Sequence, residues 1–246
     1  MSSTLIDASE RLREHGFRVS YAANRDDART QVLEIIPKGS TIGIGDSVTI
    51  RQIGAVEALQ AAGCVVVDLF SKQICELTNK RQISMKQRSI IARTALRCEF
   101  FLTGSNAVTQ DGVVVNIDGY GNRVAGMICG PENAVLVVGR NKLVANTEEA
   151  LYRIRNVITP EHARTKSKDT PCAATGRCVD CNSRERLCSV TTIIERAPGY
   201  ITTYMVLVDD DLGLGWDESW PEDRIARISE SYASYTWLKL GTRTPS

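Results

Sequence analysis

The chain has 246 residues, of which 43% are apolar, and this is enough to bury the core of one large domain. The formal net charge is +1, so the chain lacks the basic field that nucleic-acid binding needs. No apolar run approaches the roughly 20 residues of a membrane-spanning helix, and the charged N-terminus lacks a signal-peptide core, which predicts a cytoplasmic protein without nucleic-acid partners.

Helical patterns alternate with short apolar runs along most of the chain. The predicted helices cover 4–15, 25–36, about 46–62, 83–97, 147–157 and 221–232. The predicted strands cover 17–21, 41–45, 64–70, 100–104, 113–117, 134–139, 191–194 and 203–208. Three of these runs, 41–45, 64–70 and 100–104, have the composition of buried strands. Strands separated by helices indicate right-handed βαβ units, so we predict an α/β fold with a largely parallel sheet flanked by helices.

Two Asp-Gly pairs, Asp111-Gly112 and Asp118-Gly119, border the apolar run 113–117. Asp-Gly tolerates the positive φ of tight turns, and β-branched runs suit strands. This stretch therefore predicts β-hairpins within the fold.

The composition changes at residue 160, where a polar segment begins that holds half of the cysteines. We therefore expect an α/β core over residues 1–159 and a cysteine-rich metal-binding loop over 160–190. The strands and helix of 191–246 are expected to complete the same domain.

Polar residues crowd the ends of several predicted strands. In parallel α/β sheets, ligands bind outside the carboxyl ends of the strands, where backbone and hydroxyl groups can hold a phosphate or a carboxylate. The alternative is ordinary helix capping by Asp46 or Ser47 and hydrogen-bonded turns. We favour a pocket because polar groups recur at successive strand ends. The predicted substrate-binding residues are Gly45, Asp46, Ser47, Thr49, Gly104, Ser105, Asn106, Asn122 and Asn141.

Three charged residues near these turns are candidates for catalysis. Asp118 can act as a base or orient Arg123, and Arg123 or Lys142 can hold a substrate carboxylate through charge-assisted hydrogen bonds. The alternative for both cations is a solvated surface position. Neither histidine belongs to a catalytic pattern, because His15 ends a helix and His162 stands alone.

Four cysteines, Cys172, Cys178, Cys181 and Cys188, lie within seventeen residues. A reducing cytoplasm disfavours disulfides, and four thiolates suit zinc or an iron–sulfur cluster. Zinc ribbons usually draw two cysteine pairs from separate knuckles, and here only Cys178 and Cys181 form such a pair. We therefore predict a 4Fe-4S cluster, with zinc as the alternative and an unmetallated thiol loop as the third interpretation.

Five stretches resemble the LUD domain, the family of lactate-utilisation proteins. They are GDSVTIRQIG (45–54), TGSNAVTQDGVVVNIDGYGNRVAGMICGP (103–131), VVGRNKLV (137–144), TPCAATGRCVDCNSRERLC (170–188) and LGLGWD (212–217). The resemblance implies a fold similar to the ribose-5-phosphate isomerase and CoA-transferase group, whose members bind phosphorylated or acyl substrates at strand ends. It also implies a role in oxidising lactate to pyruvate with partner subunits that carry iron–sulfur clusters. This chain lacks the ferredoxin-like cysteine arrays of the longer relative.

The sequence thus predicts a LUD-type protein that binds a small organic acid or sugar phosphate and carries a four-cysteine 4Fe-4S centre. Its expected role is in lactate oxidation or related organic-acid metabolism, as an oxidoreductase subunit. Two alternatives stay open. One is a redox-silent isomerase-type or acyl-transfer enzyme with a structural zinc, and the other is a non-catalytic subunit that docks on a dehydrogenase complex. The sequence leaves the substrate, the metal and the oligomeric state open.

Overall fold

Two sheets carry the fold in residues 3–237, the part of the chain that the computed structural model describes. The strands are β1 Arg18–Ala22, β2 Thr41–Ile44, β3 Val65–Asp68, β4 Phe100–Gly104, β5 Ala107–Thr109, β6 Val114–Asp118, β7 Asn133–Gly139, β8 Leu143–Val144, β9 Val190–Ile194 and β10 Thr202–Val208. The larger sheet has six strands in the order β1-β10-β7-β4-β2-β3, and all neighbouring strands run parallel. The predicted α/β fold with a largely parallel sheet is confirmed.

Helices pack on both faces of the larger sheet. The helices of residues 3–237 are α1 Ser3–Glu14, α2 Arg25–Ile35, α3 Val48–Gln52, α4 Ala55–Ala61, α5 Lys72–Asn79, α6 Met85–Ala95, α7 Asn122–Ile128, α8 Thr147–Arg153, α9 Thr159–Thr165, α10 Pro171–Thr175 and α11 Glu222–Ser234. Helix α8 packs on the smaller sheet, and α10 packs on α9. Alternate residues of β7 point to opposite faces, as in any strand. Val135 and Val137 join the core under α2, α3 and α4, whereas Leu136 and Val138 join the core under α1 and α7.

Local signals placed most of these elements correctly. The side chain of Asn24 caps α2 by accepting hydrogen bonds from the backbone amides of Asp26 and Asp27 at 3.0 Å. Helix α5 was not predicted; it has only eight residues and buries only Cys75. The strand predicted over 64–70 is present as β3, but it is shorter than predicted and not fully buried, since β3 is an edge strand and Val65 is 58% exposed.

The smaller sheet has the order β8-β5-β6-β9. Strands β5 and β6 form the antiparallel hairpin predicted at Asp111-Gly112, where Gly112 adopts a φ of +83°. The second hairpin, predicted at Asp118-Gly119, was wrong. Strand β6 pairs antiparallel with the distant β9, and the chain after Asp118 enters helix α7.

Helices α8 and α9 are joined by a π-helical turn, Ile154–Ile158, so the chain stays helical from 147 to 165. Proline lacks a backbone N–H and breaks a regular α-helix, and Pro160 follows directly after this widened turn. The change in composition at residue 160 therefore falls inside a helical segment.

The C-terminal part of the chain contributes to both sheets. Strand β9 is an edge of the smaller sheet, and β10 lies between β1 and β7 in the larger one. Residues 1–2 and 238–246 of the predicted domain lie outside the described residues. Within 3–237, no helix is both long enough and apolar enough to cross a membrane.

Candidate functional site

A cavity of about 190 Å³ lies at the carboxyl ends of the parallel strands. Its walls include the segments that follow β2, β4, β7 and β10, and it is closed by the turn after β6 and by α9 and α11. Polar and charged side chains that line it are Asp46, Ser47, Thr49, Arg88, Ser105, Asn106, Asp118, Asn122, Arg123, Lys142, His162, Lys166, Lys168 and Tyr232. The strand-end position is the one expected for a ligand site in a parallel α/β sheet.

All of the predicted substrate-binding and catalytic residues except Gly45 and Asn141 line this cavity. Gly45 serves packing, because a side chain there would meet Thr103 Oγ1 at 2.5 Å. Asn141 is fully buried; its Nδ2 donates to the carbonyl of Gly215 at 2.9 Å, and its Oδ1 accepts from the amide of Leu212 at 2.9 Å. Asn141 therefore holds the 212–215 loop in place and does not face a ligand.

Asp118 caps helix α7. One carboxylate oxygen accepts hydrogen bonds from the backbone amides of Tyr120 and Gly121, and the other accepts from those of Arg123 and Val124, at 2.9 to 3.2 Å. These amides occupy the lone pairs of both oxygens. The geometry thus gives Asp118 a structural role, and it explains why the chain turns into a helix here. The catalytic role of Asp118 stays a prediction.

The guanidinium of Arg123 donates most of its hydrogen bonds to other groups of the chain. Its Nη1 donates to Asn116 Oδ1 at 2.8 Å, and its Nη2 donates to Asn106 Oδ1 at 2.9 Å and to the carbonyl of Ile117 at 2.6 Å. Burial lowers its pKa, and Asp118, with Oδ2 at 4.0 Å from Nε, opposes that shift. Arg123 therefore braces the cavity wall and adds positive charge, but it has few donors left for a substrate.

Lys142 differs from Arg123 because its ammonium group is unpaired. The residue is 4% exposed and lines the cavity, yet within residues 3–237 its Nζ has no hydrogen bond or ion pair. Burial, together with the positive charges of Arg123 and Arg153, lowers the pKa of Lys142 to about 7. The amine is therefore close to its titration midpoint at neutral pH.

Two hydroxyl groups lie near this amine. Ser47 and Thr49 are buried, and in the described part of the chain neither hydroxyl has a hydrogen-bond partner. A side chain at Gly104 would begin 2.7 Å from Ser47 Oγ and 3.4 Å from Thr49 Oγ1, so the absence of a side chain leaves room beside both hydroxyls. They are available as hydrogen-bond donors to a ligand.

Asp46 and Lys166 form a close ion pair, with Oδ2 and Nζ 2.5 Å apart. Burial by itself raises the pKa of Asp46, but the charges of Lys166 and His162 and the hydrogen bond from Lys166 lower it to about 2. Asp46 is thus ionised and already neutralised by a partner. Its charge therefore repels an anionic ligand less than that of an unpaired carboxylate would.

His162 and Tyr232 form a second polar pair in the cavity. The Nδ1 of His162 is hydrogen-bonded to the hydroxyl of Tyr232, and the rings meet edge to face with centroids 5.9 Å apart. Burial, reinforced by Lys166, lowers the pKa of His162 to about 3, and burial raises the pKa of Tyr232 well above its usual value. Both groups are therefore neutral at pH 7.

Cationic side chains outnumber carboxylates around the cavity. The cations in its lining are Arg88, Arg123, Lys142, Lys166 and Lys168, and the carboxylates are Asp46 and Asp118. The chain as a whole has a net charge of only +1, so the positive excess is local. Such a lining attracts anions.

The family model of the LUD domain matches residues 6–208. The chain belongs to the LUD domain family. Among solved structures, this LUD domain is similar to a DUF162 family protein from Deinococcus radiodurans, with 12% identity and a TM-score of 0.46 over 84% of this chain and 97% of that one. It is also similar to ribose 5-phosphate isomerase A from Neisseria gonorrhoeae, with 20% identity and a TM-score of 0.32 over 59% and 66%. The comparison with curated proteins gave no match.

The four predicted metal ligands of this LUD domain lie between α9 and β9, and none is in a disulfide. Burial raises the pKa of the Cys188 thiol, and the thiols of Cys178, Cys172 and Cys181 act in the same direction, which places all four in one neighbourhood. As placed, however, no three His, Cys, Asp or Glu side chains within 3–237 are close enough to share a metal ion. The metal centre remains a prediction.

The cysteine segment of the LUD domain forms part of the cavity wall. Leu187 lines the cavity, and its Cα lies 3.3 Å from where a side chain at Gly119 would begin. The amide of Ser189 donates to the carbonyl of Asp118 at 2.9 Å. A conformational change in this segment would therefore alter the shape of the cavity wall.

Sequence analysis missed several cavity residues of the LUD domain. His162 was set aside, and Lys166, Lys168, Tyr232 and Gly213 were not considered. A signal for Gly213 was present in the Leu-Gly-Leu-Gly run at 212–215, since Gly213 adopts a φ of +64°. The others come from helices that reach the cavity only through long-range packing.

Proposed function

We propose that the chain binds a small carboxylate or phosphorylated metabolite in the strand-end cavity and acts on it in lactate oxidation or a related step of organic-acid metabolism. The observation that carries this proposal is the unpaired, buried amine of Lys142 at the cavity wall. A buried charge without a partner is unfavourable, and a bound anion would supply that partner.

The size and charge of the cavity support a small anion. Its volume of about 190 Å³ is below the roughly 300–1,000 Å³ of pockets for drug-sized ligands. The local excess of cations would favour an anion, and the hydroxyls of Ser47 and Thr49 would donate to its oxygens. Lactate and pyruvate are small monocarboxylates of this kind, which fits the link of the family to lactate utilisation.

Proton transfer would fall to His162 and not to Asp118. The lone pairs of Asp118 are taken by backbone amides. His162 is neutral at pH 7, lines the cavity, and is held by Tyr232 through one ring nitrogen. Its other nitrogen would be free to exchange a proton with a substrate hydroxyl.

The four cysteines Cys172, Cys178, Cys181 and Cys188 would hold a 4Fe-4S cluster, with zinc as the alternative. The chemistry of the donor set fits, since all four thiols are free and lie in one segment, and the amide of Asp180 donates to Cys178 Sγ at 3.5 Å, a contact common around cluster sulfurs. A cluster supplies electron transfer, here with iron–sulfur partner subunits, whereas zinc would only brace the cavity wall.

Calorimetric titration of the full chain tests the binding proposal. The ligands are L-lactate, pyruvate, propanoate and D-ribose 5-phosphate. We expect at least one to bind, and Lys142→Met to weaken its binding tenfold or more, which is about 1.4 kcal/mol. Lys38→Met, at an exposed lysine, is the matched control and should leave binding unchanged. Failure of all four ligands, or equal binding by Lys142→Met, would reject the proposal.

Anaerobic purification with iron, sulfide and zinc analysis tests the metal centre. We expect iron and acid-labile sulfide in the ratio of a 4Fe-4S cluster, and their loss in Cys178→Ser. Cys129→Ser, at an exposed cysteine outside the segment, should keep them. Stoichiometric zinc would overturn the redox role and leave the metal a structural role in the cavity wall. Protein that contains neither iron nor zinc would overturn the metal centre itself.

A further inference from the structure

We propose that Lys142 forms a covalent imine with the carbonyl carbon of a small 2-oxo acid bound in the cavity. This rests on the proposed function, because it takes the bound carboxylate to be one with an adjacent carbonyl group. It adds that the lysine bonds to the ligand and does not only pair with its charge.

The side chain of Lys142 is packed against glycine. A side chain at Gly213 would begin 3.3 Å from Lys142 Nζ and 2.8 Å from Thr49 Oγ1, and one at Gly215 would begin 3.4 Å from Lys142 Cδ. The two glycines let the 212–215 loop pass close to the lysine stem. The amine is thereby directed to the side of the cavity where the hydroxyl of Thr49 lies.

The backbone of Lys142 is also fixed. Arg153 Nη1 donates to the carbonyl of Asn141 at 3.4 Å and to that of Leu143 at 3.0 Å, which are the residues on either side of the lysine. Arg153 is itself buried. A nucleophile needs this kind of positioning, because a small displacement of a reacting atom lowers the rate strongly.

Within residues 3–237, no carboxylate is paired with the amine of Lys142. Asp46 is paired with Lys166 at 2.5 Å, Asp118 is occupied by backbone amides, and the charges that act on Lys142 come from Arg123 and Arg153. The lowered pKa of Lys142 agrees with this arrangement. A large fraction of the amine is thus unprotonated at neutral pH, which is the form that attacks carbonyls.

The surroundings select a carbonyl compound that also bears a carboxylate. The hydroxyls of Ser47 and Thr49 are unpaired within residues 3–237; that of Thr49 shares the space beside Gly213 with the amine, and that of Ser47 shares the space beside Gly104 with Thr49. The cation-rich lining favours an anion over a neutral aldehyde. In a 2-oxo acid the two groups are adjacent, so hydroxyls and amine can engage one small molecule together.

The step needs no oxidant or reductant. The nitrogen lone pair attacks the carbonyl carbon, a C–N bond forms, and the π electrons move to the oxygen. A proton passes from nitrogen to this oxygen and gives a carbinolamine. The C–O bond then breaks, and the oxygen leaves as water with the second amine proton. His162, neutral and in the same cavity, can relay these protons.

Reductive trapping tests the imine. The full chain is incubated with pyruvate and sodium cyanoborohydride near neutral pH, and the modified lysines are mapped by peptide mass analysis. We expect the reduced pyruvyl adduct on Lys142 at least tenfold above exposed lysines such as Lys38, Lys72 and Lys80. Propanoate, which has no ketone, should give no adduct. Lys142→Arg should remove the adduct, and Lys38→Arg should not.

The outcomes separate this proposal from the one it rests on. Pyruvate that binds in calorimetry but leaves no adduct on Lys142 overturns the imine and leaves the binding proposal standing. Labelling spread evenly over the exposed lysines also overturns it. Failure of every carboxylate to bind, together with no adduct, overturns both. The wild-type map decides the matter by itself if the variants do not fold.

Discussion

The amine of Lys142 and the hydroxyl of Thr49 lie together beside Gly213. A side chain at this glycine would begin 3.3 Å from Lys142 Nζ and 2.8 Å from Thr49 Oγ1. Lys142 follows β7, Thr49 follows β2, and Gly213 follows β10, so three parallel strands deliver one residue each to the same point. The functional groups are therefore positioned by the sheet itself and not by a flexible loop.

Gly213→Ala should reduce ligand affinity, because its methyl group would push against both functional groups. Gly213 has a φ of +64°, and Gly39 has a φ of +81° with nothing within 4 Å, so Gly39→Ala is the matched control. We expect each variant to lose about 1 to 2 kcal/mol of unfolding free energy from backbone strain. Only Gly213→Ala should lose tenfold or more in affinity by calorimetry. Equal affinities would contradict the assigned geometry.

Affinity for a carboxylate without a ketone, such as propanoate, should fall as the pH rises through about 7, where Lys142 loses its proton. Asp46 and His162 keep their charge states in this range, since the pKa of Asp46 is about 2 and that of His162 about 3. In Lys142→Arg the guanidinium stays protonated, so affinity should change little with pH. Calorimetry at several pH values checks this, and an identical fall in both proteins would assign the effect to another group.

The folding free energy should depend on pH through the same group. Lys142 loses its proton near pH 7 in the folded chain and near 10.5 when unfolded. Between these values the unfolded chain binds the extra proton, so stability rises with pH, by up to about 1.4 kcal/mol per pH unit. Urea unfolding of wild type and Lys142→Met should show a steeper rise with pH in wild type. Parallel curves would mean that the amine titrates normally.

Sequence reasoning located the cavity because strand ends can be recognised locally. Asp46, Ser47 and Thr49 directly follow an apolar run, and the rule that ligands bind at the carboxyl ends of parallel strands then brings such residues together. The hydroxyls of Ser47 and Thr49 and the amine of Lys142 were all named on this basis, and all line one cavity.

The cavity residues that α9 and α11 supply could not be predicted from strand ends. His162 and Tyr232 are 70 positions apart and meet only because two helices pack across the cavity. The predicted helix ended at residue 157, before Pro160. A π-helical turn instead continues the helix past Pro160, and His162 thereby reaches the cavity. Burial of Lys142 was equally hidden, since Arg140-Asn141-Lys142 has the composition of an exposed turn.

The dipeptide Asp118-Gly119 is compatible with two local structures, a hairpin turn and the start of a helix. Asp-Gly favours a hairpin turn, but an aspartate before a helix can also cap it. The choice depended on β9, which pairs with β6 from about 75 positions away. No sequence pattern near Asp118 predicts that β6 pairs with β9.

Asp118→Asn distinguishes a helix cap from a catalytic base. The amide would turn one N–H₂ group toward backbone donors and would remove the negative charge that faces Arg123 at 4.0 Å. We expect a loss of about 2 to 4 kcal/mol of unfolding free energy in urea. Ligand affinity of the folded fraction should hold or increase, because the cavity loses a negative charge. Asp7→Asn, at an exposed aspartate, is the control. Unchanged stability with abolished turnover would restore Asp118 as the base.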